Sequence, residues 1–231
     1  DGTGDVNREQ IIPTNNLMDI CEQYGAKLTV YFEYGQYLAF EKFSNLNDNL
    51  KRANLAILTQ LKDIIERGHD VQFHLHPTWL KSTYNQVSGF NLDKKSYDIT
   101  SLSEENMVRI LSQGKEFLES NLKKINPSYQ CIAFRAGAWS AKDSKKLISA
   151  LLKSGFLVDS TVAKGAHLKS DYGSFDFRKV SEKPSWFSNQ DICVESNDNY
   201  SIFELPILTK QTKLAPLFYI SQKRNFINSI V

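Results

Sequence analysis

Three of the four histidines in this 231-residue chain fall within one short segment, Gly68-His69-Asp70-Val71-Gln72-Phe73-His74-Leu75-His76-Pro77-Thr78-Trp79. Residues two apart on a strand project to the same side. A strand over 70–76 therefore brings the imidazoles of His74 and His76 together and sends Leu75 into the opposite face. Two neutral imidazoles at the carboxyl end of a strand can ligate a divalent metal. That end is also where parallel α/β folds build their sites. The competing reading is a pair of hydrogen-bonded core histidines, because H-x-H lacks the specificity of a longer ligand set such as H-E-x-x-H. His69, ahead of the strand, reads as a surface or supporting residue.

A second candidate is Arg135 in Phe134-Arg135-Ala136-Gly137-Ala138-Trp139. It ends an otherwise apolar run, where an unpaired charge is costly. It should meet a carboxylate or a bound anion, or form a structural ion pair. Asp159, in Val158-Asp159-Ser160-Thr161, stands at another strand end and could partner Arg135 or a substrate hydroxyl; its competing role is a turn or helix-cap Asp. Glu204 opens the apolar run Phe203–Ile207. The N-terminal loop offers Asp1 and Asp5, one as a metal ligand and the other as a general base. Other chemistries fit poorly. The chain has no G-x-S-x-G elbow and no G-x-x-x-x-G-K-[ST] loop. Its one G-x-G, Gly2-Thr3-Gly4, follows no strand.

The elements that must position these residues alternate between apolar runs and helical patterns. Helices are expected over 13–24, 47–67, 103–124 and 142–154, with Pro13 at the first turn of one and Gly25, Gly68 and Gly155 closing three. A further helix is expected over 218–230. Strands are expected at Lys27–Phe32, Asp70–His76, Cys131–Arg135 and Phe156–Asp159, with weaker apolar runs at Phe175–Phe177 and Ile202–Ile207. Residues 81–100 read as polar and irregular. Strand–helix–strand order implies parallel strands with helical crossovers, in a barrel or an open sheet. With no repeat and no Pro-, Gly- or Ser-rich linker, residues 1–231 read as one α/β domain.

Composition narrows the function classes. Twenty-eight basic and 26 acidic residues give a net charge of +2, which leaves no electrostatic footprint for nucleic acid. No segment approaches the ~20 apolar residues needed to span a bilayer, and Asp1–Asp5 carries no signal-peptide pattern. Three widely spaced cysteines, Cys21, Cys131 and Cys193, form no C-x-x-C pair. They point to a reducing compartment, the cytoplasm.

Taken in order, these segments resemble the polysaccharide deacetylase family, the chitooligosaccharide deacetylase homology domain, from about residue 1 to 207. Leu28-Thr29-Val30-Tyr31-Phe32 is similar to the family's "ATFF" strand, and Gly68–His74 to its "GHEIGNH" motif. Phe134–Trp139 is similar to the "FRAGGW" form found in a subgroup linked to surface-polysaccharide and O-antigen synthesis. Gly155–Thr161 resembles that subgroup's "G...DSS" strand. The resemblance implies a distorted (β/α)7 barrel and a divalent metal, usually zinc, held by an Asp and two His. It also implies an Asp general base oriented by an Arg, at Arg135. The family's second His falls where this chain has Thr78, and His76 stands in for it. The family's Asp pair ends a first strand, so Asp1 and Asp5 are the carboxylates expected here. The implied activity is hydrolysis of an acetyl group from an N-acetylated sugar or glycan precursor, with Trp79, Trp139, Trp186 and Tyr172 as candidate sugar platforms. The alternatives are a non-catalytic carbohydrate-binding protein on a deacetylase scaffold, or a C–N hydrolase acting on a non-sugar amide.

Overall fold

In the computed structural model, which describes residues 5–170, 173–198 and 200–209, all four helices expected within that range form. The expected helix over 218–230 lies outside the described residues. Helix α1 (Ile12–Gln23) continues from a short π-helical turn at Asn7–Ile11. Strand β1 (Thr29–Glu33) follows, then helix α2 (Tyr34–Phe43), which the sequence reading did not assign. Its aromatics recur every third residue, and Tyr34, Tyr37, Phe40 and Phe43 each stack on another ring. Tertiary packing, more than amphipathic periodicity, explains this helix.

Helix α3 (Asp48–Glu66) starts where the Asn47 side chain accepts from Asn49 N, and it buries Leu50, Ile57, Leu61, Ile64 and Ile65. Gly68, at φ +75°, allows the reversal into β2 (Asp70–Leu75). The segment expected to be irregular holds a small hairpin, β3 (Thr83–Asn85) and β4 (Gly89–Asn91). Helix α4 (Glu104–Leu122) is capped by Ser103, whose side chain accepts from Asn106 N. Strand β5 (Ala133–Ala136), helix α5 (Ser144–Lys153) and strand β6 (Val158–Asp159) come next. A second hairpin, β7 (His167–Ser170) with β8 (Gly173–Asp176), precedes β9 (Trp186–Ser188) and β10 (Ile202–Glu204).

The result is a mixed α/β fold. Its main sheet has the order β1-β2-β5-β6-β10-β9. The first five of these strands run parallel, and β9 is antiparallel to β10. Among the described residues no pairing closes the sheet into a barrel. Phe73, Phe134 and Phe156 form its fully buried aromatic centre. Gly114 of α4 makes room for them, since a Cβ there would lie 1.9 Å from the Phe73 ring. Buried Gln72 fixes the register of β2 against the chain entering β5: its Oε1 accepts from Ile132 N and Ala133 N. In that register Glu33, His74 and Arg135 lie side by side across three strands. No described helix is long and apolar enough to cross a membrane, and all three cysteines are free thiols.

Candidate metal centre

Strand β1 ends on Glu33, which also caps α2: its Oε1 accepts from Gly35 N at 2.9 Å. The positive end of the helix favours a negative charge there. Glu33 Oε2 accepts from His76 N at 2.9 Å and lies 2.5 Å from His76 Nδ1. His74 comes from the adjacent strand, and its Nδ1–H donates to the Arg135 carbonyl at 2.8 Å. That bond fixes the tautomer and leaves the Nε2 lone pair free, 3.9 Å from Glu33 Oε2. Burial pushes the His74 pKa down, so the ring is held neutral, as a metal ligand must be.

Glu33, His74 and His76 each place a ligand atom within 4.8 Å of the others. Two imidazole nitrogens and one carboxylate oxygen suit zinc or a similar divalent ion. His76 shows what loading requires. Its Nε2 accepts from Ala138 N at 3.2 Å, so its proton sits on Nδ1 and points at Glu33. An ion at Nδ1 must replace that proton, and the hydrogen then carried on Nε2 breaks the Ala138 contact.

The turn after β5 supports this arrangement. Ala138 and Trp139 both have φ of +52°, a conformation that costs non-glycine residues on the order of 1–3 kcal/mol each. Buried Asp98 holds the turn from behind, its Oδ2 accepting from Ser140 Oγ and Lys142 N. Gly137 leaves space for the His76 ring, because a Cβ there would lie 2.7 Å from His76 Cγ and 2.6 Å from the Leu75 carbonyl. Neither the backbone oxygen nor the pinned ring can yield cheaply. If the group holds a divalent ion, Gly137→Ala is expected to weaken its binding by roughly 10-fold or more, the scale of a disturbed ligand-orienting contact. Competition with a chromogenic chelator measures it, and unchanged affinity in a folded variant counts against the assigned packing.

The other expected site residues have mixed placements. Among the described residues, Arg135 forms no ion pair with a carboxylate. Its Nε donates to Ser160 O at 2.9 Å and one Nη to Ser160 Oγ at 3.0 Å, and its guanidinium lies 3.9 Å over the Tyr31 ring. Asp159, which pairs in register with Phe134, makes no direct ion pair with it and feels Arg135 only as a nearby charge. Strand alternation thus turns its side chain to the other face. There Asp159 and Glu204, both 0% exposed, form a buried carboxyl pair. Thr161 Oγ1 donates to Asp159 Oδ1, and Val162 N donates to Glu204 Oε1. The remaining oxygens, Oδ2 and Oε2, have no hydrogen-bond partner, and each carboxyl acts on the other's proton affinity. Two carboxyls buried this close hold a proton more readily than two charges. Burial, together with the neighbouring Asp159 charge, holds Glu204 well above the usual carboxylate range.

Asp5 is exposed; its Oδ1 accepts from Asn7 N, and it stands outside the Glu33–His74–His76 group. Asp1 and Tyr172 lie outside the described residues. Trp79 is not a sugar platform. It is 7% exposed and packs edge-on against Phe40 and Phe90. Trp186 is likewise buried, donating from Nε1 to Ile192 O. Trp139, 37% exposed, is available. His69 is a supporting residue: its Nδ1 accepts from Leu28 N, and its Nε2–H donates to Glu22. Thr78, at the position of the family's second His, is buried. The residue that sequence reasoning missed is Glu33. Its one signal was an acid immediately after the apolar run Leu28–Phe32, two residues before a glycine.

No family model, curated protein or solved structure matches this chain.

Proposed function

We propose that this protein is a metal-dependent hydrolase of the polysaccharide deacetylase type, removing an acetyl group from an N-acetylated sugar, with Glu33, His74 and His76 holding zinc. On this reading the parallel sheet is part of a distorted (β/α)7 barrel. The observation that carries the proposal is the Glu33–His74–His76 group at the carboxyl ends of adjacent parallel strands, with Arg135 next in the row. A divalent ion there supplies Lewis-acid activation of water and of an amide carbonyl. The chain does the rest. The Arg135 carbonyl orients His74. The helix-capping contact and His76 N orient Glu33. Arg135, fixed by Ser160 and Tyr31, adds a permanent positive charge that stabilises an anion developing nearby.

The His76 tautomer favours a second reading, a carbohydrate-binding protein on a deacetylase scaffold, because both ring nitrogens are already engaged. Metal analysis separates the two. Under the first reading purified protein carries about one divalent ion per chain, loses it in His74→Ala, and releases acetate from N-acetylated sugars. Metal-replete protein that releases no acetate from a broad panel of acyl sugars overturns the enzymatic reading.

A further inference from the structure

A groove of about 470 Å³ opens beside the turn that holds His76. One wall is that turn itself, with Trp139, Lys142 and Ser144; the other is the β7–β8 hairpin, and Asp191, Ile192 and Cys193 close the end. Three features make it a built surface. First, Asp98 anchors Ser140 and Lys142, so Trp139 and Lys142 project from a rigid platform. Second, the groove has an aromatic wall: Trp139 meets Phe175 edge-on at 5.6 Å, and Phe175 stacks on Phe177 at 5.2 Å.

Third, its charges are sorted. Of its two acids, only Asp176 is ion-paired; Asp191 sits at the closed end. Asp176 is held by both Nε and Nη2 of Arg178, and Asp191 accepts from Cys193 N. Lys142 and Lys169 line the groove with no carboxylate partner among the described residues, and His167 adds a further nitrogen. Unneutralised lysines beside an aromatic wall suit an anion attached to a flat or ring-shaped group. The groove adjoins the turn that supports the metal centre: Ala138 N donates to His76 Nε2, and the next residue, Trp139, lines the groove.

We infer that this groove is a subsite for a phosphate group, and that the acyl sugar reaches the metal centre as a glycosyl phosphate or diphosphate. Lys142 and Lys169 hold the phosphate while Trp139 and Phe175 pack against the attached ring. The inference rests on the deacetylase reading only for the acyl group; the phosphate preference belongs to the groove alone.

Calorimetric titration of the full chain tests it. N-acetylglucosamine 1-phosphate is expected to bind roughly tenfold or more tightly than N-acetylglucosamine, about the value of one charge-assisted hydrogen bond. The Lys142→Gln/Lys169→Gln double variant should lose that preference, and the charge-matched control Lys124→Gln should keep it. Equal binding of the two probes by wild type, or a preference that survives in the double variant, overturns the inference. Uridine diphosphate against inorganic pyrophosphate separates the sources. Tighter binding of uridine diphosphate marks a nucleotide-linked sugar, and equal binding marks recognition of phosphate alone, as on a lipid carrier. The same titration on His74→Ala keeps the two readings apart. There the phosphate preference should persist whether or not any acetyl sugar is hydrolysed by wild type.

Discussion

On the proposed deacetylase reading, Glu33→Gln is expected to abolish tight zinc binding and acetate release together while leaving the fold in place. Glutamine has nearly the same shape, and its carbonyl oxygen can still accept from Gly35 N or His76 N, the two backbone donors that Glu33 satisfies. It cannot supply an anionic ligand, and hard or borderline cations bind a neutral amide oxygen far more weakly than a carboxylate. It also loses the 2.5 Å partnership with His76 Nδ1 in its charged form. The expected loss in zinc affinity is roughly 100-fold or more, at or beyond the range seen for disturbed outer contacts to metal ligands. Chelator competition measures the affinity, and circular dichroism checks that the variant is folded. A folded Glu33→Gln protein that binds zinc as wild type does would remove Glu33 from the ligand set. The centre would then be reduced to two histidines.

Glu204→Gln is expected to raise stability at alkaline pH and to flatten its pH dependence. Asp159 and Glu204 are fully buried, and both titrate above their ordinary ranges because burial penalises the charged form; Asp159 is raised to about 6 and Glu204 well above its usual value. The folded chain therefore holds protons that the unfolded chain releases. The pair's contribution to stability is greatest below the carboxyl range of the unfolded chain, near pH 4, and declines as pH rises through the folded values. In wild type the melting temperature should fall between pH 5 and pH 8. Glutamine at 204 can accept from Val162 N as Glu204 does, and its Nε2 offers Asp159 a permanent donor in place of a second acid. The gain at pH 8 is roughly 1–3 kcal/mol, or about 2–4 °C per kcal/mol for a chain of this size. Thermal melts of both proteins at the two pH values decide the matter. A variant that is less stable than wild type at pH 8 would show that burial of the two acids is not what limits stability there.

The site was partly legible in the sequence because strand alternation is local. His74 and His76 on one side of β2, with Leu75 buried on the other, follow from a period of two and needed no partner strand. The four expected helices followed in the same way from the spacing of their apolar residues and from capping residues such as Ser103. Helix α2 did not, because its aromatics are held by rings from elsewhere in the chain, Phe73, Trp79, Phe90 and Phe117.

The third ligand depended on register, which is a relation between strands. Glu33 lies opposite His74 because β1 pairs with β2 as it does, and a shift by one residue would have placed Phe32 there instead. The same relation separated Asp159 from Arg135: two residues at neighbouring strand ends fell one step out of register, onto opposite faces. The sequence alone determined that this chain would form an α/β fold with paired imidazoles at a strand end. Tertiary structure decided which carboxylate joined them, because periodicity orients a side chain relative to its own strand, and only the hydrogen-bonded register between strands sets which side chains meet.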